Sequence, residues 1–254
     1  QPAPLGSVLL GNARLLGRLA SIAPGLANAM NTSRFGRRIV DRVLGFHPKR
    51  SLPEFAEPMP RVLRRAGVRV VSRPTGARPA VVLFGDCFSM FNEPRIGLAA
   101  GRVLARLGYE VVLASKGCCA RPKISLGLLE EAITEADRTL ASLAPLVEHP
   151  SVRAIVTLEP SCLSAFKDDW LKLKLKTAMQ TRKGLAAKSM LIEDFVEREW
   201  ERHPSRPEPS PSLRDACLGP LLVHGHCHQK ALWGAETTSR VLTRLYGPRV
   251  RVLD

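Results

Sequence analysis

Two stretches of this 254-residue chain repeat the same order of apolar residues, glycine and cysteine. Residues 81–87 read VVLFGDC and residues 221–227 read LLVHGHC, and the two align without a gap. Residues 102–107 (RVLARL) then match residues 240–245 (RVLTRL) after a shift of two residues. A unit that recurs in this way buries its apolar face by stacking against its neighbour. The repeat therefore predicts two tandem units, each built from a strand, a cysteine and a helix.

The hydrophobic pattern of the first unit is typical of a parallel α/β fold. Residues 80–84 form a continuous apolar run, as strands buried on both faces of a sheet do. Within residues 96–107 the apolar side chains recur about every 3.6 residues, which predicts an amphipathic helix. Further strands are predicted at 68–71, 110–113 and 154–158. We therefore expect an α/β protein with two tandem Rossmann-like repeats, which have parallel sheets and follow a helical linker.

The same pattern divides the chain into four parts. Residues 1–60 are predicted to be a helical linker, with helices at 8–22 and 33–45, that follows a missing upstream module. The remaining parts are a first cysteine-rich α/β repeat, a Pro-rich loop and the start of a second cysteine-rich repeat, at residues 61–202, 203–219 and 220–254. Further helices in the first repeat are predicted from about residue 125, at 163–176 and at 181–200. The chain begins at Gln1 and the second unit stops early at Asp254, so we expect a fragment truncated at both ends.

The adjacent residues Cys118 and Cys119 are the most unusual local feature of the first repeat. Their Cα atoms lie about 3.8 Å apart across a trans peptide, which is below the usual span of a disulfide. We therefore interpret the pair as two thiols available to another group, first of all a metal ion or an iron–sulfur cluster. Two small buried residues at a strand end are the alternative.

Three cysteines of the first repeat, Cys87, Cys118 and Cys162, each follow the end of a predicted strand. In an open parallel sheet, ligand sites gather at the carboxyl edge of the strands. Cys119 joins them by adjacency, so four thiols from three loops are predicted to converge. Cys162 also stands where a helix begins, and the N-terminus of a helix favours the thiolate form.

The second repeat carries Cys227 at the matching position, within the sequence HGHCHQ of residues 224–229. A dense group of histidines and cysteine also suits zinc. The alternation of a strand places His224 and His226 on one side. Histidines that only hydrogen-bond to a neighbouring cluster are the alternative. The sixth cysteine, Cys217, is interpreted as a small residue beside the Pro-rich loop.

The net charge of +15 raises the question of an anionic partner. The cations are spread along the whole chain without a basic patch interleaved with aromatic residues, so we expect no nucleic-acid partner. An anionic protein or a membrane surface explains the charge equally well. The densest cluster, residues 170–176 (WLKLKLK), is interpreted as a solvated face.

The spacing of the six cysteines bears on the compartment of the protein. It does not match a small secreted disulfide scaffold, so reduced thiols in the cytoplasm are expected. Peripheral attachment to the inner face of the membrane through the basic N-terminal helices is an open alternative.

Three motifs together resemble the cysteine-rich domain of Fe–S oxidoreductases, also called the CCG domain. They read GCCARPKISLGLL at 117–129, EPSCL at 159–163 and HGHCHQKAL at 224–232. The greatest resemblance is to the C-terminal parts of FAD-linked oxidases that act on D-2-hydroxy acids such as D-lactate, D-2-hydroxyglutarate and glycolate. Similar domains occur in iron–sulfur subunits of glycolate oxidase, of anaerobic glycerol-3-phosphate dehydrogenase and of heterodisulfide reductase. The resemblance covers residues 75–254.

The resemblance implies an iron–sulfur cluster, of the 4Fe-4S type, and a set of metal-binding residues. These are Cys87, Cys118, Cys119 and Cys162 in the first repeat, with Cys227 as the first cysteine of a second site. The chain departs from the family pattern at Ala120, which replaces the glycine of Cys-Cys-Gly, and at Glu159, which replaces the first cysteine of a Cys-x-x-Cys. It also ends before a second Cys-Cys-Gly would occur, and no catalytic residue is predicted.

The resemblance further implies an electron-transfer module of a flavin-dependent 2-hydroxy-acid dehydrogenase, which passes electrons from the flavin to an acceptor. No Gly-rich dinucleotide fingerprint is present, so FAD is expected in a domain or subunit outside this chain. The implied partners are that flavin domain and a ferredoxin-type 4Fe-4S module, and this chain alone is not expected to turn over. A structural zinc domain and a cluster-free docking domain are the alternatives.

Overall fold

The structure is a computed structural model that describes residues 4–47, 49–206, 208–209 and 219–253. Cys217, Asp254 and most of the predicted Pro-rich loop lie outside the described residues. Where that loop begins, His203 is buried, and its Nδ1 lies 3.1 Å from the hydroxyl oxygen of Tyr109.

A four-stranded parallel sheet forms the centre of the first repeat. Its strands lie in the order β2-β1-β3-β4, and every pair is parallel. The bounds are Ala80–Phe84 for β1, Glu110–Ala114 for β2, Val152–Thr157 for β3 and Ser189–Leu191 for β4. All five side chains of the central strand β1 are buried, as expected of a strand covered on both faces. The predicted α/β fold with parallel sheets is confirmed.

Helices cover both faces of this sheet and form two apolar cores. One core joins Val82 and Ile155 of the sheet to Leu140 of the long helix Leu129–Glu148. The other joins Val81 and Val156 to helices on the opposite face. In chain order the helices are α5 (Met59–Arg65), α6 (Cys87–Phe91), α7 (Pro94–Arg106), α8 (Arg121–Ser125), α9 (Leu129–Glu148), α10 (Pro160–Ser164), α11 (Trp170–Lys172), α12 (Met179–Lys188) and α13 (Ile192–Arg198).

The second repeat also has a parallel sheet, which has two strands and is separate from the first sheet. Its strands are β5 (Leu221–His224) and β6 (Val250–Leu253), and they pair in parallel from Leu221 opposite Val250. Helices α14 (Cys227–Leu232) and α15 (Glu236–Tyr246) lie between them in the chain. Arg240 and Arg244 of α15 form ion pairs with Glu197 of α13, which joins the second repeat to the first.

The N-terminal region is helical, although its helices differ from the predicted ones. They are α1 (Leu5–Gly11), α2 (Ala13–Ala20), α3 (Pro24–Thr32) and α4 (Arg34–Leu44). The helix predicted at 8–22 is two helices that meet at Asn12, whereas α4 matches the one predicted at 33–45. Helix α3 was not predicted, and it begins at Pro24. Proline fits the first turn of a helix, where its missing N–H is not needed. Among the described residues, no helix is long and apolar enough to cross a membrane.

Three elements predicted in the first repeat are wrong in part. Residues 68–71 do not form a strand, and Val71 makes only an isolated bridge to Val112. The helix predicted from about residue 125 begins instead at Leu129 as α9, and the short helix α8 precedes it, with a turn at Gly127 between them. The helix predicted at 181–200 is interrupted by strand β4, which separates α12 from α13. Three residues are too few to show a period against helical neighbours.

The N-terminal helices pack against the first repeat, and glycines allow the close approach. A Cβ atom added at Gly17 of α2 would lie 2.7–3.0 Å from ring and Cβ atoms of Phe91 in α6. A Cβ atom added at Gly11 of α1 would lie 2.8 Å from a methyl carbon of Leu128. The region predicted as a linker is therefore part of the packed structure.

Replacement of Gly17 by alanine tests this packing. We expect Gly17→Ala to lower the free energy of unfolding by about 1–3 kcal/mol, because the added methyl overlaps Phe91 close to its backbone. Gly25→Ala is the matched control. Gly25 is also helical and has no atom within 4 Å of an added Cβ, so alanine there should raise stability by about 0.5–1 kcal/mol. Urea denaturation of both variants measures the difference, and equal effects would contradict the packing of α2.

Candidate functional site

Four cysteines of the first repeat meet at the carboxyl edge of the parallel sheet. Cys87 is the first residue of α6 after β1, Cys118 and Cys119 follow β2, and Cys162 lies in α10 after β3. The sulfur atoms of Cys87 and Cys118 are 3.5 Å apart, and those of Cys119 and Cys162 are 2.9 Å apart. Three of the four side chains are buried, and that of Cys87 is half-buried. All four are free thiols.

Two residues with left-handed backbone conformation hold the cysteine pair between them. Gly117 has φ of 85° and Ala120 has φ of 61°. A Cβ atom on Gly117 would lie 2.4 Å from the Thr139 hydroxyl oxygen, so only glycine fits there. At Ala120 the methyl is tolerated, but the conformation costs a non-glycine residue about 1–2 kcal/mol. This cost explains physically why glycine stands at that position in the motif the chain resembles.

Side chains of the first repeat bind the backbone of both cysteines. The Thr139 hydroxyl accepts a hydrogen bond from the Cys118 amide at 3.0 Å and donates one to the Cys118 carbonyl at 2.9 Å. The indole Nε1 of Trp170 donates to the Cys119 carbonyl at 3.1 Å. Both side chains are fully buried, so the Cys118–Cys119 backbone is fixed by groups with little freedom to move.

A cavity of about 450 Å³ opens in front of these thiols and continues to the second repeat. Cys87, Cys119 and Cys162 line it from the first repeat, and Cys227 lines it from the second. Its other lining residues include Asp86, Phe88, Arg121, Glu159, His226 and His228. Cys118 does not line the cavity, but its sulfur lies 3.5 Å from that of Cys87, which does. The structure thus brings all five predicted cysteines to one place, whereas the sequence assigned Cys227 to a second site.

The two histidines at this cavity are not the pair that strand alternation placed together. His226 and His228 line the cavity, and their rings stack with centroids 5.5 Å apart. His224 is exposed at the end of β5 and does not line it. The difference arises because β5 ends at His224, so the period of a strand no longer applies to His226.

Glu159 occupies the position at which the related motif has a cysteine, and it is already engaged locally. Its Oε1 accepts hydrogen bonds from the amide and the hydroxyl of Ser161, at 3.1 and 2.8 Å, and so caps α10. The same oxygen lies 3.9 Å from Nε2 of His226 across the cavity. Nearby, Arg121 and Asp169 form an ion pair of 2.6 Å.

The pKa values of the four clustered thiols are shifted in different directions. Hydrogen bonds with Cys119 and Cys87 lower the pKa of the Cys118 thiol to about 3. Hydrogen bonds with Cys118 and burial raise the pKa values of Cys119 and Cys87 well above the ordinary range. At Cys162 the hydrogen bond with Cys119 lowers the pKa, but burial and nearby acidic groups outweigh it and the pKa is raised. The raised pKa of Cys162 opposes the thiolate form that the start of a helix favours, and the lowered pKa of Cys118 favours the thiolate there.

The cysteine thiols are ligands of the kind that a thiophilic metal or cluster binds. The distances between their sulfur atoms differ from those of a site that holds a metal. Two thiolates at about 2.3 Å from one tetrahedral metal lie roughly 3.8 Å apart, close to the Cys87–Cys118 separation and longer than the Cys119–Cys162 one. In the described ranges, no three Cys, His, Asp or Glu side chains already stand in the arrangement of a metal site. Binding would move the Cys119 and Cys162 sulfurs apart and release their protons.

Three residues at this site were not predicted. Thr139 lies on a helix face that otherwise packs as core, and Trp170 was assigned to a solvated face although it is fully buried. Arg14 reaches the site from α2 and donates to backbone carbonyls near Cys87 and Cys118. In the 170–176 cluster, Trp170 and Leu175 are buried while the three lysines face solvent.

The geometry defines a thiol-rich cleft between two α/β repeats. Comparison with known proteins shows which proteins have a similar sequence. The chain is 23% identical over 251 residues to one of the subunits of anaerobic glycerol-3-phosphate dehydrogenase, in Escherichia coli strain K12 and in Escherichia coli O157:H7. The aligned region covers 98% of this chain and 60% of each relative. No protein-family model and no solved structure matches the chain.

Replacement of Thr139 by valine tests how Cys118 is held. Valine keeps the shape of threonine and removes the hydroxyl, which leaves the Cys118 amide and carbonyl buried without this partner. We expect Thr139→Val to lower the free energy of unfolding by about 1–3 kcal/mol in urea denaturation.

Thr134→Val on the same helix is the matched control for this experiment. The Thr134 hydroxyl is exposed and donates only to the Glu130 carbonyl of its own helix. The change there should stay within about 0.5 kcal/mol. If both variants unfolded at the same urea concentration, the Thr139 hydroxyl would not fix Cys118.

Proposed function

We propose that this chain is an iron–sulfur electron-transfer module of a flavin-dependent dehydrogenase. The observation that carries the proposal is that Cys87, Cys119, Cys162 and Cys227 line one cavity of about 450 Å³, with the sulfur of Cys118 in contact with that of Cys87. Reduced thiols in this number suit iron–sulfur clusters, which are held by thiolates. The similarity to a subunit of a known dehydrogenase supports the same class of function.

The residues of this chain have distinct roles in the proposed module. Cys87, Cys118, Cys119, Cys162 and Cys227 would hold the cluster, which when bound supplies one-electron chemistry. Thr139 and Trp170 fix the backbone of the cysteine pair through buried hydrogen bonds. Burial of three of the thiols keeps water from the sulfurs, and both burial and hydrogen bonding set the potential of such a site.

The proposed electron donor is a flavin in a domain or subunit outside this chain, with a ferredoxin-type 4Fe-4S module as a further partner. The chain spans about 60% of the length of its curated relatives, which leaves room in such proteins for other modules. A flavin collects two electrons from a hydroxylated substrate, and the clusters pass them on singly to an acceptor. We place the module in the cytoplasm or at the inner face of the membrane.

Two substrate classes follow from the two resemblances. The sequence motifs favour a 2-hydroxy acid such as D-lactate, D-2-hydroxyglutarate or glycolate. The aligned relatives, by their name, favour glycerol 3-phosphate. In both classes a secondary or primary alcohol is oxidised to a carbonyl group. Reduction of the flavin in the complete complex, measured anaerobically with each compound, distinguishes the two.

A structural zinc site is the second candidate function. It is favoured by the presence of His226, Cys227 and His228 beside the thiols of the first repeat, since zinc accepts mixed cysteine and histidine ligands. Such a protein would be colourless and would contain stoichiometric zinc. A cluster-free docking domain would contain neither metal.

Serine substitutions test the iron–sulfur proposal. In the complete complex, prepared anaerobically, we expect Cys118→Ser or Cys119→Ser to lower acceptor reduction by roughly tenfold or more and to remove the iron bound at this site, while the iron of the ferredoxin-type module stays. Reduction of the flavin by substrate should be retained, because that chemistry lies outside this chain. Cys217→Ser is the control, since Cys217 is the one cysteine not assigned to the site, and it should keep both iron and activity.

Acceptor reduction that survived in both variants would contradict the redox proposal. A protein that contained zinc in place of iron, and lost it with the same substitutions, would establish the second candidate.

A further inference from the structure

The side chain of Arg14, in helix α2 of the N-terminal region, contacts the loops that carry Cys87 and Cys118. Nη1 of Arg14 donates a hydrogen bond to the Gly85 carbonyl at 2.8 Å, and Nη2 donates to the Ser115 carbonyl at 2.5 Å. Gly85 follows β1 and lies two residues before Cys87, whereas Ser115 follows β2 and lies three residues before Cys118. One guanidinium group therefore joins the ends of both strands just before their thiols.

The position of Arg14 is fixed by the packing of its helix. Its guanidinium carbon lies 5.7 Å from the centre of the Phe91 ring, and Gly17 on the same helix contacts that ring with its backbone. Two separate nitrogens bind two separate carbonyls, which the planar fork of arginine allows and the single ammonium of lysine does not reproduce. The contact is thus specific to the shape of the arginine side chain as well as to its charge.

The guanidinium of Arg14 places a positive charge beside both cysteine loops, because its two hydrogen bonds hold it at the carbonyls two residues before Cys87 and three residues before Cys118. Within the described residues no carboxylate forms an ion pair with Arg14, and the nearest acidic neighbour of Cys87 in sequence, Asp86, is hydrogen-bonded to Ser89. A group held by these thiolates gains negative charge on reduction, and an unneutralised cation nearby stabilises the reduced form.

We propose that Arg14 is a positioning residue of the cysteine site, which holds the Cys87 and Cys118 loops together and raises the reduction potential of the cluster bound there. The effect on potential rests on the proposed iron–sulfur function. The joining of the loops does not depend on the cluster. The N-terminal region, predicted from sequence as a linker, thereby becomes part of the redox site.

Three variants separate these two effects. Arg14→Gln removes the charge and the fork, Arg14→Lys keeps the charge and loses the fork, and Arg18→Gln removes an exposed charge one turn along the same helix. Two measurements are made on anaerobically prepared protein. Amide hydrogen exchange of residues 85–91 and 115–119 reports the loops, and a redox titration followed by EPR reports the midpoint potential.

We expect faster exchange in both loops for Arg14→Gln and Arg14→Lys, and a more negative midpoint potential chiefly for Arg14→Gln. Arg18→Gln should match the unmodified protein in both measurements. The proposal is overturned if Arg14→Gln behaves as Arg18→Gln does, or if Arg14→Gln changes only one of the two measurements. If the unmodified protein gave no EPR signal, the iron–sulfur function would fail together with the effect on potential, and the exchange data would still decide whether Arg14 joins the loops.

Discussion

Three parallel strands, β1, β2 and β3, end at one edge of the sheet, and the site depends on this constraint. Each strand leads directly into a segment with a cysteine, so the sheet brings together residues that are far apart in the chain. The strands are buried and paired along their length, which fixes where each one stops. Cys227 follows β5 in the same way, and the packing of α15 against α13 turns its loop toward the first repeat.

Hydrogen bonds from side chains to the backbone hold the site, two of the side chains being buried and that of Arg14 partly exposed. Thr139 binds the amide and carbonyl of Cys118, Trp170 binds the Cys119 carbonyl, and Arg14 binds the carbonyls before Cys87 and Cys118. Buried hydrogen bonds of this kind are costly to leave unmade. Of the four clustered thiols, Cys118 has its pKa lowered, whereas burial and hydrogen bonds raise the pKa values of the other three. A cation or a positively charged metal centre would complete this arrangement by stabilising the remaining thiolates.

Much of the fold could be predicted from the sequence because its central strands are long apolar runs with glycine or polar ends. Strand β1 stood out as a continuous apolar run, the helix at 96–107 by its period, and β5 by its alignment with β1. Strand β4 and helix α3 did not, since three residues show no period and Pro24 suits both a break and a first turn. The roles of Thr139, Trp170 and Arg14 could not be predicted, because each depends on which backbone group lies opposite in the folded chain. The shared cavity of the two repeats likewise depends on how they pack.

X-ray absorption at the iron and zinc edges of the anaerobically purified protein tests the central claim most directly. It identifies the metal and the atoms that bind it without any assumption about partners or substrate. The account predicts an iron edge with sulfur as the dominant ligand and a second iron atom at short distance. A zinc edge alone, or iron bound only by nitrogen and oxygen, would contradict it.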